Sequence, residues 1–290
     1  MKAVLRNYVG GRWIPNNPSS RLNWFNKPRL VRYMNRCISP ETGNGALGAV
    51  QHLLAGATLG RGISVGCGDG TKEQRFLEAG LVGHFDLFEV SPTYADAAVR
   101  LAAEAGLADR VRVTVGDAFA HDTAGRYDLV YWDHSLHHMM DVDRAIAWSV
   151  DVLAPGGWLV INDYVGPTRL VWRRQEVDFA REFLKSHQVR LGFDPTALRY
   201  KHVVDRVRLM LRDPSEAPQS DRIMAAFQQR CGFAMRPLGG VMIHLCAPFL
   251  ERIEHEDDPV YDALLAWDMR ALEEGHNHFA FGSWQKPVAA

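Results

Sequence analysis

The stretch that decides the fold is Ile63-Ser64-Val65-Gly66-Cys67-Gly68-Asp69-Gly70, a short apolar run that leads into alternating glycines. Glycine lets the backbone turn tightly and approach a ligand without a Cβ in the way. A strand that ends in such a turn brings a ligand to the carboxyl edge of a parallel sheet, beside the N-terminus of the next helix. The stretch therefore predicts a nucleotide-type cofactor at the end of the first strand.

An acidic residue, Glu89, ends the second apolar run, which covers residues 84–89. An acid at this place can accept hydrogen bonds from both hydroxyls of a ribose. A nicotinamide dinucleotide domain is the nearest competing interpretation. Its fingerprint needs glycine where this chain has Thr71, and Gly70 comes one place early, so that turn is not matched.

Strand and helix patterns alternate on both sides of this turn, which indicates a doubly wound, mostly parallel α/β sheet. The predicted strands of this part are 62–65, 84–89, 111–115, 127–132 and 158–162. The predicted helices are 44–57, 72–79, the one opened by Ser91-Pro92, and 141–153, which we expect to stop at Pro155-Gly156-Gly157.

The alternation of strand and helix patterns ends after Asp163, because residues 164–222 are poor in strand patterns. We interpret them as a helical insertion that caps the substrate pocket, with helices at 173–187 and 196–211. A helix at 223–230, a strand at 233–237, helices at 241–253 and 259–274 and a strand at 278–284 then complete a seven-stranded sheet. The chain is thus predicted to consist of an N-terminal helical or lid segment (1–57), a cofactor-binding core (58–163), the helical insertion (164–222) and a C-terminal part that completes the sheet (223–290).

The first part of the chain combines aromatic side chains with Pro, Asn and Arg, a pattern that fits neither a core strand nor a simple disordered tail. We expect short helices that cover the main domain. The aromatic residues either pack on the core surface or form a lid over a substrate pocket. They are Trp13, Trp24, Phe25 and Tyr33.

Net charge, cysteine spacing and the lengths of apolar runs exclude several classes of protein. The 290 residues carry a net charge of -1, whereas a nucleic-acid binder is usually strongly basic. The four cysteines form no C-x-x-C pair, so neither a zinc site nor a disulfide framework is expected. Long apolar runs and an apolar signal core are absent from the sequence, so we expect a soluble, cytoplasmic protein without a membrane partner.

Five runs resemble, in order, the successive motifs of class I S-adenosylmethionine-dependent methyltransferases. They are ISVGCGDG, FEVSPTYADAA, VTVGDAF, YDLVYWDHSLHH and LAPGGWLVINDY. The resemblance is close over residues 60–165 and loose over the C-terminal strands. The run YVGPTRLVW at 164–172 further resembles a bacterial small-molecule subgroup with Tyr-Val-Gly-Pro-x-Arg after the fifth strand. The resemblance implies a Rossmann-like fold, S-adenosylmethionine as cofactor and S-adenosylhomocysteine as product.

The resemblance also implies where the cofactor binds. The glycines would wrap its methionine and ribose part, Asp69 would meet its amino group, and Glu89 would bind the ribose hydroxyls. Asp117, with the backbone of Ala118, would face the adenine amino group. Asp133 and His134 would lie beside the methionine end. The full implied set is Gly66, Cys67, Gly68, Asp69, Gly70, Glu89, Val90, Asp117, Ala118, Asp133 and His134.

The residues after the fourth strand are the best candidates for chemistry, because histidine is easily poised near neutral pH. His134 and His137 are candidates for a base or a substrate contact. Alternatively, His137 and His138 cap or pack the following helix. Tyr164 directly follows the fifth strand and is a third catalytic candidate.

Candidate substrate contacts follow the fifth strand in an aromatic setting. Arg169, with Arg173 and Arg174, could bind a carboxylate or phosphate in a bidentate way. The alternative is a solvated helix face. The predicted substrate-binding residues are Arg169, Trp172 and His138.

A metal site has weaker support in the sequence. Asp133 and Asp163 end neighbouring strands, as carboxylates do in catechol-type O-methyltransferases that bind magnesium. The rest of that pattern does not follow, and His276 and His278 lack a partner with ligand spacing. We therefore expect no metal.

These features together predict an enzyme that methylates an oxygen, nitrogen or carbon of a small molecule by direct in-line transfer. Two alternatives stay open: a metal-assisted catechol-type O-methyltransferase, and a non-catalytic cofactor-binding or regulatory protein of the same fold. The acceptor is not encoded in any motif. A homodimer contact through the aromatic N-terminus also stays open.

Overall fold

A seven-stranded sheet forms the centre of the computed structural model, which describes residues 24–121 and 126–288. The strand order is β3-β2-β1-β4-β5-β7-β6. Strands β1 to β5 are parallel, and β7 runs antiparallel to β5 and β6. The strands are β1 (Leu59–Val65), β2 (Val82–Glu89), β3 (Val111–Val115), β4 (Tyr127–Asp133), β5 (Leu153–Tyr164), β6 (Arg236–Gly239) and β7 (Phe279–Gln285). The predicted doubly wound, mostly parallel sheet is confirmed.

Helices cover both faces of the sheet. In chain order, they are α1 (Pro28–Ile38), α2 (Gly45–Leu54), α3 (Thr71–Glu78), α4 (Pro92–Glu104), α5 (Val142–Val152), α6 (Arg174–Ser186), α7 (Gln188–Leu191), α8 (Val203–Arg212), α9 (Ile223–Cys231), α10 (Val241–Cys246) and α11 (Pro259–Glu273). The larger core cluster contains side chains of α1, α2, α3, α6, α10 and α11. A second cluster contains α5 and α9. No helix within residues 24–121 and 126–288 has an apolar stretch long enough to cross a bilayer.

Several predicted boundaries are wrong. Strand β5 begins at Leu153, so Pro155-Gly156-Gly157 lies inside the strand, where the pairing with β4 shifts register. Residues 195–197 form a separate turn, and α8 begins only at Val203. The predicted helix 241–253 ends at Cys246 because Pro248 lacks the N–H that would continue it. Strand β6 begins three residues later than predicted, at Arg236, and pairs with β7 through Gly239.

The aromatic N-terminal segment packs on the end of the sheet, as far as the structure describes it. Trp24 is buried and contacts the ring of Phe279 at 5.5 Å between centroids. Phe25 stacks on Trp24 at 4.0 Å and is half-exposed. The predicted short helices are present as a turn at Trp24–Asn26 followed by α1 and α2. Trp13 lies outside the described residues.

A buried acid joins β1 to α3. Glu73 lies in the first turn of α3, and Ser64 on β1 donates a hydrogen bond to Glu73 Oε1 at 2.7 Å. Its other oxygen, Oε2, is buried and has no hydrogen-bond partner among the described residues. Burial raises the pKa of Glu73 to about 7, although Ser64 and Lys72 oppose the shift.

Glu73→Gln should reduce the loss of stability at high pH. The unfolded chain releases this proton at a lower pH than the folded protein, so wild-type stability falls as pH rises through about 7. The neutral amide removes up to about 3 kcal/mol of that loss, an order-of-magnitude value. Urea unfolding at pH 5 and pH 8 measures it. Glu78→Gln, on the exposed side of the same helix, is the control and should change neither value. A parallel pH dependence in both variants would contradict the assignment.

Candidate active site

The glycine turn has the backbone that the sequence predicts. Gly66, Gly68 and Gly70 all have positive φ, at 69°, 61° and 72°. A Cβ on Gly66 would lie 2.9 Å from Cβ of Ser135, and one on Gly70 would lie 3.1 Å from Cδ1 of Leu87. Apart from its chain neighbours, no residue that the structure describes has an atom within 4 Å of a Cβ built on Gly68. The turn is thus tightly packed at both ends and open in the middle, where a ligand could approach the backbone.

Glu89 holds this turn against the end of β2. Its buried carboxylate accepts hydrogen bonds from the N–H groups of Gly68 at 2.9 Å, Val90 at 2.8 Å and Ser91 at 2.9 Å. Burial raises the pKa of Glu89, and the three N–H donors oppose the shift. Oε2 accepts only the Gly68 bond among these three, so it has capacity for a further donor.

Two more acids act as local caps. Asp117 accepts a hydrogen bond from the N–H of Phe119 at 3.0 Å and begins the turn Ala118–Ala120. Asp117 is exposed and Ala118 is buried; Gly116 N–H donates to the carbonyl of Glu89, which places Asp117 beside Glu89. Asp69 Oδ1 accepts from the backbone and hydroxyl of Thr71. Contacts of Asp69 and Asp117 with a cofactor stay predictions.

A lysine that sequence reasoning missed lies at the end of β4. Lys72 Nζ is 3.3 Å from Oδ1 of Asp133 and donates to the Asp133 carbonyl at 3.1 Å. Asn162 Nδ2 donates to the same carboxylate oxygen at 3.0 Å. Burial would raise the pKa of Asp133, but Lys72, His134 and Tyr131 together outweigh it and the pKa is lowered. The signal for Lys72 was its place in the first helical turn after the glycines.

His134 lies in an aromatic setting. Its φ is 55°, and its N–H donates to the carbonyl of Asn162 at 2.8 Å. Its ring lies 4.9 Å from Phe25, 5.7 Å from Phe279 and 6.0 Å from Trp24, measured between centroids. Burial lowers the pKa of His134 to about 4, so the ring is neutral at pH 7 and weakly basic.

Asp163 organises the loop after β4. Its side chain is fully buried, and Oδ2 accepts from the N–H groups of Ser135 at 3.0 Å and Leu136 at 2.7 Å. Oδ1 accepts from Tyr164 N–H at 2.7 Å and from Nδ1 of His137 at 2.5 Å. Burial alone would raise the pKa of Asp163 and lower that of His137. The attraction between the Asp163 carboxylate and the His137 imidazolium, together with their hydrogen bond, reverses both pKa shifts.

These contacts weaken the catechol-type alternative. Asp133 is paired with Lys72, and Asp163 accepts four protein donors. Among the residues that the structure describes, neither acid belongs to a cluster of three ligand atoms that could hold an ion. In this arrangement both acids thus already bond to protein donors.

The predicted residues after β5 lie at the boundary between the sheet and the 164–222 segment. Tyr164 is buried, its hydroxyl donates to the Pro167 carbonyl at 3.0 Å, and burial raises its pKa, so the hydroxyl stays protonated at neutral pH. Its catalytic role stays a prediction. Arg169 Nη1 donates to the carbonyls of Pro214 and Glu216 at 2.7 and 3.1 Å. The chain segment that these bonds hold, residues 213–217, is called the cap loop below. Arg169 thus has a structural role, and its contact with substrate stays a prediction.

Trp172 and His138, the other two predicted substrate contacts, both interact with residues of the 164–222 segment. The Lys201 ammonium lies 3.6 Å from the Trp172 ring centroid, and Trp172 Nε1 is buried without a hydrogen-bond partner among the described residues. His138 Nδ1 is 3.1 Å from the Ser215 carbonyl. Burial lowers the pKa of both Lys201, to about 8, and His138, to about 4.

A cavity opens beside the end of β4, between the sheet and the N-terminal helices. Its walls combine aromatic, amide and charged side chains, which suits a small polar molecule. They include Trp24, Phe25, Asn35, Asn44, Lys72, Arg75, Asp133, His134 and Asn162. The N-terminal segment therefore contributes to a pocket as well as packing on the core.

Comparison with known proteins agrees with this geometry. Residues 63–159 match the family described as "Methyltransferase domain". This part of the chain is therefore similar to a methyltransferase domain. It contains the glycine turn, Glu89, Asp117 and the residues after β4, in the order that the sequence predicts.

Two curated relatives align with part of the chain. A rice protein named "Probable tocopherol O-methyltransferase, chloroplastic" is 31% identical over 130 residues, 44% of this chain and 33% of the relative. The ubiquinone biosynthesis O-methyltransferase of Bordetella avium is 33% identical over 112 residues, 38% of this chain and 45% of the relative. The aligned part thus spans less than half the length of either relative.

A solved structure shows the same fold over a longer range. Phosphoethanolamine N-methyltransferase 2 of Haemonchus contortus, solved with phosphomonomethylethanolamine and S-adenosylhomocysteine, superposes with a TM-score of 0.56 at 13% identity. The superposition covers 98% of this chain and 60% of that one. The chain therefore shares the fold of that structure.

Asp163→Asn should disturb the loop after β4. An amide replaces a buried carboxylate that accepts four hydrogen bonds, so we expect a loss of about 3 kcal/mol or more in unfolding free energy. The pKa of His137 should fall, because the charge that raises it is gone. Denaturant unfolding and NMR titration of the histidine ring measure the two effects.

Asp143→Asn is the matched control for this change. Its exposed carboxylate forms an ion pair with Arg222 on the surface, and such pairs contribute little. We expect less than about 0.5 kcal/mol and an unchanged His137 titration. An Asp163→Asn protein as stable as this control would mean that Asp163 does not organise the loop.

Proposed function

We propose that this chain is an S-adenosylmethionine-dependent methyltransferase that acts on a small molecule. The observation that carries the proposal is the Glu89 carboxylate, buried at the end of β2 and bonded to the N–H of Gly68 in the open middle of the glycine turn. An acid held there can accept ribose hydroxyls while the open backbone approaches the rest of the cofactor. The match of residues 63–159 to a methyltransferase domain supports the same conclusion.

The cofactor would lie along the carboxyl ends of β3, β2, β1 and β4. Asp117, exposed and adjacent to Glu89, would accept from the adenine amino group, with Ala118 and Val90 as apolar neighbours. The turn residues Cys67 and Asp69 would flank the methionine part. Its cationic sulfonium would then come near Asp133, whose lowered pKa keeps it ionised at neutral pH.

The acceptor would lie beyond the end of β4, between His134 and His137. His137 is the better proton acceptor of the two because Asp163 fixes its Nδ1 and leaves Nε2 directed toward the cap loop, 3.9 Å from Glu216. His134, with a pKa of about 4, would serve as an aromatic wall. Tyr164 would position His137, against which its ring packs at 6.1 Å.

Most of the rate would come from holding the acceptor, methyl carbon and sulfur in line. A base adds about 10²–10⁴-fold, and only where the acceptor begins protonated. The names of the two curated relatives favour an oxygen acceptor. The stretch Tyr164-Val165-Gly166-Pro167 before Arg169 supports placing the chain in the bacterial small-molecule subgroup.

Cofactor binding is the first test. Calorimetry with S-adenosylmethionine and S-adenosylhomocysteine should give micromolar affinity, about -8 kcal/mol. Asp117→Ala and Glu89→Gln should each weaken it about tenfold or more, since each removes a charged acceptor. Asp117→Ala is the cleaner variant, because its carboxylate has a single backbone partner at the surface.

Asp194→Ala is the matched control. Asp194 is also exposed and also accepts from the N–H two residues ahead at the start of a three-residue turn, but it lies in the 164–222 segment. It should bind the cofactor like wild type. Folded wild-type protein that binds neither compound would overturn the proposal, as would equal weakening by Asp194→Ala and Asp117→Ala.

The pH dependence of turnover tests His137. With an acceptor found by screening small phenols, amines and carbon acids, kcat/KM should rise with pH through an inflection above 6.5, because a base acts only after it has lost its proton and the pKa of His137 is raised. His137→Gln should lower kcat by about 10²–10⁴-fold and remove the inflection. His52→Gln, an exposed histidine on α2, should do neither. An unchanged profile in His137→Gln would exclude the role.

A further inference from the structure

Three side chains with metal-ligating atoms meet between the sheet and the cap loop. His137 and His138 come from the turn that follows β4, and Glu216 comes from the cap loop. One ligand atom from each lies within 4.8 Å of the others, and His137 Nε2 is 3.9 Å from Glu216 Oε1. Residues from two distant parts of the chain thus converge on one point.

The two imidazoles are oriented as metal-ligating histidines usually are. His137 Nδ1 bonds to the Asp163 carboxylate, and His138 Nδ1 bonds to the Ser215 carbonyl. A carbonyl can only accept, so His138 Nδ1 carries the proton and the lone pair of the neutral ring lies on Nε2. A carboxylate or carbonyl on the far nitrogen fixes both tautomer and ring direction in known metal sites.

The cap loop holds the third ligand in place through its backbone. Arg169 Nη1 bonds to the carbonyls of Pro214 and Glu216, and Asp213 Oδ1 accepts from the backbone and hydroxyl of Ser215. The Glu216 side chain itself remains 24% exposed. An ion here would therefore have a fixed protein side and an open side.

The surrounding charge is mixed and favours a cation. Asp163 lies against His137, and Asp213 and Glu216 lie near His138. Lys72, Lys201 and Arg169 are the opposing cations in the neighbourhood. Lys72 is already paired with Asp133, and Arg169 bonds to two cap-loop carbonyls. Three carboxylates, those of Asp163, Asp213 and Glu216, thus lie around the ligand atoms.

We propose that His137, His138 and Glu216 bind one divalent transition-metal ion per chain. Two imidazole nitrogens and one carboxylate oxygen, with further positions left open, form the ligand set of catalytic zinc sites and of non-haem iron sites. Nitrogen ligands disfavour magnesium and calcium. Tetrahedral zinc with bonds of about 2.1 Å needs ligand atoms about 3.4 Å apart, so the three side chains would close by about an ångström.

Such an ion would join the cap loop to the sheet and could take an acceptor oxygen in its open position. There it would lower the pKa of a hydroxyl group and make proton removal easier. It would also occupy the lone pair of His137 that proton transfer needs, so the two roles of His137 exclude each other at any moment. The site itself does not depend on the proposed methyl transfer.

Zn²⁺ binding to the chelator-treated full chain tests this site. Calorimetry should show one Zn²⁺ per chain with micromolar or tighter affinity, and Co²⁺ should give the visible absorption of a tetrahedral or five-coordinate site. His138→Ala and Glu216→Gln should each weaken Zn²⁺ binding at least tenfold. Glu216→Gln keeps the shape of a partly exposed side chain, so it carries the test if His138→Ala does not fold.

His255→Ala, which removes an exposed histidine far along the chain, is the control and should bind Zn²⁺ like wild type. S-adenosylmethionine binding is measured in every variant and should not change in Glu216→Gln, which separates this site from the cofactor site. Wild-type protein that binds no Zn²⁺, or Glu216→Gln protein that binds it as tightly as wild type, would overturn the proposal whatever the result for the cofactor.

Discussion

Asp163 accepts four hydrogen bonds at the end of β5 while its carboxylate is fully buried. A buried charge of this kind is tolerated only when donors surround it, and here the donors are the backbone of the loop after β4 and the ring of His137. The loop cannot shift without leaving the charge unpaired. The position of His137, which faces the cap loop, therefore depends on this one carboxylate.

Glu89 follows the same rule at the other side of the site. It accepts three backbone N–H groups and ties the glycine turn to the end of β2. In both places a strand of the parallel sheet ends in an acid that organises the neighbouring loop. The difference lies in what remains available: Glu89 Oε2 retains capacity for a ligand donor, whereas both oxygens of Asp163 already accept two protein donors each. Cofactor contact is thus a reasonable role for the first acid and positioning for the second.

The sequence predicts the glycine turn far better than the contacts of the cap loop, for a physical reason. Gly66, Gly68, Gly70 and Glu89 act through local backbone geometry, which a motif of adjacent residues can encode. The contacts of Glu216 with His137, and of Arg169 with the cap loop, join residues that are distant in the chain. No spacing rule reveals them.

Lys72 is intermediate, because its place in the first turn of α3 is local but its pairing with Asp133 requires the order of β1 and β4 in the sheet. The predicted start of β5 is wrong for a similar reason, because pairing with β4 extends the strand back to Leu153 through Pro155-Gly156-Gly157.

His137 occupies the position where the two halves of the site meet. Its Nδ1 bonds to Asp163 on β5, and its Nε2 lies 3.9 Å from Glu216 Oε1 in the cap loop. In the two proposals above, a proton and a metal ion would compete for the lone pair on that second nitrogen, and Glu216 would attract both. Whichever occupied it, the charge would draw Glu216 toward His137, beside which the proposed acceptor would lie. The Arg169 bonds set the position of the cap loop, so any change that loosens them would alter the distance between Glu216 and His137 and, through it, the proposed chemistry.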